Sequence, residues 1–221
     1  MRISIESNII RYMLKDVYFI NGTAYAGKST MVKRLAKKHN GICCGENYHL
    51  VLSDAINEVE QPNMWYMKTL KDWHDFVNRT PEEYDRWITD SAKEITGLEI
   101  ALLLQYAKEG KKVFVDTNIA PAILKEISEY NHVLIMLSPQ ETSINRFFER
   151  EDKDKQFLYQ LLIDNENPEK ALENYRQCLK RVNSKEHYKE FEDSGFKVLK
   201  RDESRTIEET LDLVEEHFQL K

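Results

Sequence analysis

Two glycines, a lysine and a serine stand near the N-terminus at a spacing that suits phosphate binding. They fit the pattern G-x-x-x-x-G-K-[ST], and the loop comprises Gly22, Thr23, Ala24, Tyr25, Ala26, Gly27, Lys28, Ser29 and Thr30. Glycines can adopt backbone angles that turn successive N–H groups toward one anion. A lysine here can reach the β- and γ-phosphates, and a serine hydroxyl can bind Mg²⁺. We therefore expect this loop to bind ATP, with Lys28 acting in catalysis and Ser29 binding the metal.

The residues on either side of the loop supply the structural context that the motif needs. Residues 17–21 form an apolar run that predicts a buried strand, and the apolar residues 31, 32, 35 and 36 have helical spacing. The N-terminus of such a helix adds free N–H groups and a partial positive charge. An ordinary glycine turn before a helix is the alternative, and the strand–loop–helix context favours the phosphate-binding interpretation.

Two carboxylates follow predicted strands and could complete a phosphoryl-transfer site. Asp116 closes the apolar run 113–116 and is predicted to be catalytic through binding Mg²⁺, although it could instead cap a helix or a turn. Glu46 follows the short predicted strand 42–44 and could accept the proton of an acceptor hydroxyl. A solvated loop glutamate is the alternative for Glu46.

Arg146 and Arg150 form a further candidate for catalysis. They are one helical turn apart, so on a continuous helix they share a face. The polar stretch that follows is typical of a closing lid whose arginines hold transferring phosphates. The alternative is a pair of surface arginines bonded to Glu149, Glu151 or Asp152.

Short apolar strands alternate with helical segments along the chain, which predicts an α/β fold with a parallel sheet of about five strands covered by helices on both faces. We expect one domain over residues 1–221, with a helical acceptor-binding insertion at about 48–109 and a lid at about 146–166. Thr80 and Ser138, each followed by proline, are predicted to begin helices. The three tryptophans of the insertion could stack on an aromatic acceptor, but their spacing is more typical of a core.

The composition of the chain excludes some classes of protein. The 221 residues carry a net charge of −6, which argues against a large duplex-binding surface. No apolar run approaches the roughly 18 residues of a membrane span, and no signal-peptide pattern is visible. The cysteines are Cys43, Cys44 and Cys178, an odd number without metal-ligand spacing. We therefore expect a cytoplasmic protein without a membrane partner.

The chain resembles the adenylate-kinase-like P-loop kinases of small acceptors. Within them it is most similar to the branch that contains polynucleotide kinase, chloramphenicol phosphotransferase, gluconate kinase and zeta-toxin-like enzymes. The resemblance is carried by the loop at residues 22–30, by Val113-Phe114-Val115-Asp116-Thr117-Asn118, and by Arg146 to Arg150 at the lid position. It implies the P-loop NTPase fold.

The same resemblance implies roles for individual residues. Lys28, Ser29 and Asp116 would bind Mg²⁺–ATP, and Glu46 would stand where many relatives have the catalytic carboxylate. Arg201, in the stretch after the last predicted strand, would lie near the adenine. The chain departs from the pattern at Tyr25, where many relatives have glycine or alanine, and at Glu46, where relatives often have aspartate.

These observations predict an ATP-dependent kinase that phosphorylates a hydroxyl or phosphate of a small molecule, with a nucleoside or nucleotide as the candidate acceptor. Two alternatives stay open: a regulatory or toxin-like ATP-binding module, and a polynucleotide 5′-kinase, against which the net charge weighs. The sequence does not specify the acceptor or the oligomeric state.

Overall fold

Strands and helices alternate through residues 5–149 and 153–221, which are the residues that the computed structural model describes. In this part of the chain the strands are β1 (Val17–Gly22), β2 (Ile42–Cys44), β3 (Val113–Asp116), β4 (Val133–Leu137) and β5 (Lys197–Lys200). The helices are α1 (Ser7–Met13), α2 (Lys28–Lys38), α3 (Pro62–Thr69), α4 (His74–Val77), α5 (Pro81–Tyr106), α6 (Pro121–Ile127), α7 (Gln140–Asn145), α8 (Lys153–Ile163), α9 (Pro168–Val182), α10 (Lys185–Glu192) and α11 (Ile207–His217). Short 3₁₀ segments lie at Tyr48–Ala55, Ala107–Glu109, Tyr130–His132 and Phe147–Glu149.

The five strands form one parallel sheet in the order β2-β3-β1-β4-β5. Strand β1 is central, and its neighbours β3 and β4 lie on either side of it. Because parallel strands end at the same edge of a sheet, the loops that follow β1, β3 and β4 are neighbours in space. The predicted α/β class and five-stranded parallel sheet are confirmed.

Helices cover both faces of the sheet. On one face α2 and α11 pack against the strands through a hydrophobic cluster that includes Val32, Leu35 and Val214. The strand residues that point to the other face, such as Phe19 and Val115, are also fully buried. The buried positions of α2 are those at which the sequence predicted apolar spacing: Met31, Val32, Leu35 and Ala36.

The chain divides into two compact units. The first comprises Met1–Leu52, Ile95–Ser138 and Lys189–Lys221, and it contains the sheet and the loop after β1. The second comprises Ser53–Glu94 and Pro139–Tyr188, and its described residues are helical or irregular. No helix among the described residues has the length and apolar character needed to cross a membrane.

The helical unit has its own hydrophobic core. That core is built around the buried residues Phe76, Val77, Tyr84, Leu158, Leu162, Ala171, Tyr175, Cys178 and Leu179. Trp73 and Trp87 pack against it, which agrees with the core interpretation of these two tryptophans. Helix α5 begins as predicted, because Thr80 and Glu83 form a reciprocal cap: Thr80 N donates to Glu83 Oε2 at 2.9 Å, and Glu83 N donates to Thr80 Oγ1 at 3.3 Å.

A buried carboxylate joins α11 to the end of α2 within the first unit. The Glu215 side chain is only 1% exposed, and it accepts hydrogen bonds from Lys38 Nζ at 2.7 Å and His39 Nε2 at 2.8 Å. Burial raises the pKa of Glu215, but the hydrogen bonds and positive charge of its partners outweigh burial. The net effect places this pKa below its ordinary value of 4.5.

We expect Glu215→Gln to lower the free energy of unfolding by about 1–3 kcal/mol at neutral pH, because the buried amide has only one acceptor oxygen for these two donors and lacks the negative charge that strengthens their hydrogen bonds. A carboxylate whose pKa is depressed by folding stabilises the protein above its unfolded pKa and loses that effect as the pH falls through its folded pKa. The difference from wild type should therefore shrink below about pH 4.5.

Urea unfolding of both proteins at neutral and acid pH measures this difference. Glu208→Gln is the matched control, because Glu208 pairs with Arg34 on α2 but its side chain is 69% exposed. An exposed pair contributes about 0–1 kcal/mol. Equal stability of Glu215→Gln and wild type at neutral pH would contradict the prediction.

Candidate functional site

Two glycines of the loop after β1 adopt backbone angles that disfavour other residues. The φ angle is +124° at Gly22 and +93° at Gly27. A Cβ atom at Gly22 would lie 1.9 Å from the carbonyl oxygen of Met136 on β4. Tyr25 also has a positive φ, +63°, in the region where glycine is the ordinary choice. The loop thus keeps the left-handed geometry at position 25 although this chain has a tyrosine there.

A serine directly after β4 fixes the outer part of this loop. Ser138 N donates to Thr23 Oγ1 at 2.8 Å, and Ser138 Oγ donates to the carbonyl oxygen of Ala24 at 2.7 Å. The prediction that Ser138 caps the next helix is wrong: the N-cap of α7 is Pro139, and it has no side-chain cap bond. The Ser138 hydroxyl bonds the loop instead.

An asparagine fixes the first residue of the loop. Asn21 is 1% exposed; its Oδ1 accepts from Gly22 N at 2.6 Å, and its Nδ2 donates to the carbonyl oxygen of Ile119 at 2.6 Å. Ile119 lies just beyond β3, so this amide ties the loop after β1 to the turn after the neighbouring strand. Sequence reasoning treated Asn21 only as the end of a strand. The sequence did offer one signal for this role: Asn21 is a polar residue at the end of an apolar run, directly before the loop.

The predicted lysine, serine and aspartate converge. Ser29 Oγ donates to Asp116 Oδ2 at 2.5 Å, and Lys28 Nζ lies 3.7 Å from Asp116 Oδ1. Lys28 Nζ also donates to the carbonyl oxygen of Thr23 at 3.2 Å. The strand pairing explains the convergence, because Ile20 near the end of β1 is in register with Asp116 at the end of β3.

This arrangement places three complementary groups at the start of α2. Asp116 is 5% exposed, so its charge acts in a poorly solvated environment next to the lysine amine. The hydroxyl and carboxylate oxygens are hard ligands of the kind that Mg²⁺ prefers, while the amine can meet a phosphate. The helix N-terminus adds its own N–H groups. Chemically, the site is suited to a phosphorylated ligand.

Arg201 bonds the backbone of the same loop. It follows β5, and its guanidinium donates to the carbonyl oxygen of Tyr25 at 2.7 Å. The same side chain pairs with Glu203 at 2.9 Å. Arg201 therefore lies beside the loop, and its predicted place near an adenine stays a prediction.

Glu46 lies on the loop that follows β2. It is exposed and precedes Asn47, whose φ angle is +65°, in a turn closed by a hydrogen bond from Tyr48 N to the carbonyl oxygen of Gly45 at 3.2 Å. Exposure suits a group that would meet a ligand, and it equally suits a solvated glutamate. The role of Glu46 as a base thus stays a prediction.

A buried glutamate behind these residues was missed by the sequence analysis. Glu99 on α5 is 2% exposed, and its Oε2 accepts a hydrogen bond from Thr117 Oγ1 at 2.5 Å. Burial raises the pKa of Glu99, the hydrogen bond from Thr117 and the nearby Tyr48 hydroxyl lower it, and the charge of Asp116 raises it; the net result is a pKa of about 7. Sequence spacing gave no signal for it, because Glu99 is one of several glutamates on a long amphipathic helix.

The two arginines of the predicted lid are not on one continuous helix. Helix α7 ends at Asn145, and Arg146 adopts φ −101° and ψ 11°, outside the helical region. Arg146 Nε lies 3.6 Å from Glu149 Oε2, a contact that the surface-pair alternative named. Arg150 lies outside the described residues. The structure therefore brings the loop, Asp116 and Arg201 together in one unit, whereas Arg146 belongs to the helical unit.

Comparison with known proteins agrees with this geometry. A family model described as an AAA domain, AAA_18, matches residues 19–172, which is more than half of the chain. The matched segment includes the phosphate-binding loop, β3 and β4. A search of curated proteins gave no match. The parallel sheet, the loop after its central strand and this match agree on a P-loop nucleotide-binding domain, and the chain belongs to the AAA_18 family of AAA domains.

Proposed function

We propose that this protein is a kinase that transfers the γ-phosphoryl group of ATP to a hydroxyl or phosphate of a small molecule. The observation that carries the proposal is the convergence of Lys28, Ser29 and Asp116 at the start of α2. Phosphoryl transfer needs an anchor for the phosphates, a divalent metal and positive charge near the transferred group. The lysine, the hydroxyl–carboxylate pair and the loop amides match these needs.

The donor set at this position fits Mg²⁺. Ser29 Oγ and Asp116 Oδ2 are within hydrogen-bond distance of each other, and both are oxygen ligands. These two residues would hold the ion, directly or through its water shell. A bound Mg²⁺ neutralises negative charge on the nucleotide phosphates. Lys28 adds a second positive charge, and the loop N–H groups orient the phosphate chain.

In this proposal the residues after β2 activate the hydroxyl of the acceptor. Glu46 is exposed on a turn that follows the sheet edge, and a carboxylate there can accept the proton of an acceptor hydroxyl. The helical unit is the proposed acceptor-binding and lid region. The phosphate-binding roles of Arg146 and Arg150 stay predictions.

The decisive experiment measures ADP release from Mg²⁺–ATP over a panel of nucleosides, nucleotides, sugars, aminoglycosides and short oligonucleotides. We expect one acceptor class to stimulate ADP release and to appear as a phosphorylated product by mass spectrometry. Lys28→Ala should lower that rate by about 10²–10³-fold or more, because the transferred group loses a preorganised positive charge.

Lys37→Ala is the matched control, since Lys37 is exposed on the same helix and should leave the rate unchanged. ATP binding that depends on Lys28, with no acceptor-stimulated turnover, would reject the kinase and favour the regulatory module. Stimulation by oligonucleotides alone, with strong salt dependence, would favour a polynucleotide 5′-kinase.

A further inference from the structure

Glu99 is a buried carboxyl group that forms no ion pair with a lysine or arginine among the described residues. His49 Nδ1, the ring nitrogen that faces it, lies 3.9 Å from Glu99 Oε1. Burial lowers the pKa of His49, which favours the neutral imidazole. A buried carboxyl without a cation costs folding free energy relative to an apolar side chain. The hydrogen bond from Thr117 offsets part of this cost.

On one side, successive hydrogen bonds lead from Glu99 to the phosphate-binding loop. Thr117 Oγ1 donates to Glu99 at 2.5 Å and accepts from Ile119 N at 3.0 Å. The carbonyl oxygen of Ile119 accepts from Asn21 Nδ2 at 2.6 Å, and Asn21 Oδ1 accepts from Gly22 N at 2.6 Å. Every side chain in this series is buried. The carboxyl of Glu99 thus fixes the turn after β3 and, through it, the first residue of the loop.

On the other side, Glu99 faces the segment that carries Glu46. Tyr48 and His49 begin the 3₁₀ segment directly after the Glu46 turn. The Tyr48 hydroxyl is buried and interacts with the Glu99 carboxyl, although it forms no hydrogen bond of standard geometry with any described residue. His49 is 4% exposed and packs beside the same carboxyl. One group therefore contacts both the segment after β2 and the turn after β3.

We propose that Glu99 is a positioning residue of the nucleotide site, which aligns Asp116 and the phosphate-binding loop through Thr117 and supports the Glu46 turn through Tyr48 and His49. This inference rests on the proposed function for its catalytic consequences. Glu99 is 2% exposed, so it acts through these neighbours and does not touch the substrate. The hydrogen bond to Thr117 is the link that substitutions can test.

The test breaks this bond from each side. Glu99→Ala removes the acceptor, and Thr117→Val removes the donor with little change of shape, together with the acceptor of the Ile119 N–H. Glu99→Gln and Thr117→Ser keep an acceptor and a donor, respectively. We expect each disruptive variant to raise the Mg²⁺–ATP dissociation constant and to lower kcat by about 10–100-fold, the usual effect of losing an outer support of a metal site. The conservative variants should restore most of both quantities.

The double variant Glu99→Ala/Thr117→Val distinguishes a shared hydrogen bond from a general loss of stability, because general losses of stability add up. Because the two residues share one hydrogen bond, the loss in the double variant should be clearly smaller than the sum of the two single losses. Glu109→Ala, at an exposed glutamate beyond the end of α5, is the control. Circular dichroism and urea unfolding confirm that each variant is folded, and if Glu99→Ala does not fold, Thr117→Val and Thr117→Ser decide the question.

Wild-type Mg²⁺–ATP affinity and kcat in folded Thr117→Val would overturn the positioning role. Additive losses in the double variant, or a Glu99→Gln protein as impaired as Glu99→Ala, would do the same. The dissociation constants need no acceptor, so they decide the role of Glu99 even if no acceptor stimulates turnover and the proposed kinase fails. Conversely, acceptor-dependent turnover in wild type with unaffected variants overturns only the inference about Glu99.

Discussion

Gly22→Ala should abolish ATP binding and lower the free energy of unfolding by about 3 kcal/mol, an effect at the upper end of overpacking losses. An alanine Cβ would lie 1.9 Å from the carbonyl oxygen of Met136, so β1 and β4 would have to separate at this point. The φ angle of +124° is strained for any residue that has a Cβ. The obstacle is backbone, which cannot move aside as a flexible side chain can. Urea unfolding and titration with a fluorescent ATP analogue measure the two effects.

Gly97→Ala provides the control for the chemical change itself. Gly97 lies within α5, and a Cβ there would meet no atom within 4 Å. Alanine is favoured over glycine in a helix interior by about 1 kcal/mol, so this variant should be slightly more stable and should bind ATP normally. Normal ATP affinity in Gly22→Ala would show that the loop geometry is not needed for binding.

Much of the fold follows from local patterns. Side chains alternate along a strand and recur every three or four residues along a helix, so the spacing of apolar residues predicts which ones are buried. This holds for the apolar run before the loop and for residues 31, 32, 35 and 36, all of which are buried. Asp116 closes the apolar run 113–116 and lies beside the loop because two buried parallel strands end at one edge of the sheet. The pairing of Ser29 with Asp116 follows from that edge and from the motif.

Contacts between distant residues could not be predicted in the same way. Ser138 and Thr23 are 115 residues apart in sequence, and Ser138 stands before a proline, where the local rule predicts a helix cap. The Ser138 hydroxyl instead bonds the loop after β1, a contact that the sequence around Ser138 does not indicate. Glu99 was missed for a similar reason, since only the folded chain shows that its position on α5 faces Thr117.

The predicted lid shows a different limit. A helical spacing of four residues places Arg146 and Arg150 on one face only if the helix continues, and α7 ends at Asn145. Helix ends are set by a balance of capping, local charge and tertiary packing, so a stretch rich in charge gives an uncertain boundary. Two arginines at helical spacing are therefore weaker evidence for shared function than residues that follow two adjacent buried strands.

Asp116→Asn should lower kcat by about 10²–10³-fold, the loss that accompanies removal of one preorganised electrostatic contact. Asparagine can still accept the hydrogen bond from Ser29, so the loop should keep its shape, but the negative charge that favours Mg²⁺ is gone. The Mg²⁺ concentration that gives half-maximal activity should rise. In the absence of metal, ATP should bind as well as in wild type or more tightly, because Asp116 no longer repels the phosphates or neutralises Lys28 at 3.7 Å.

These opposite effects separate a metal-binding aspartate from a structural one. A structural aspartate would lower ATP affinity with and without Mg²⁺ alike, since its loss would disturb the loop as a whole. Asp212→Asn is the control, because Asp212 is 61% exposed and pairs with Lys221 on the surface. A Mg²⁺ dependence in Asp116→Asn identical to that of wild type would remove Asp116 from the metal site. Because the amide preserves the Ser29 contact while it removes the charge, the change in Mg²⁺ dependence reports on the carboxylate itself.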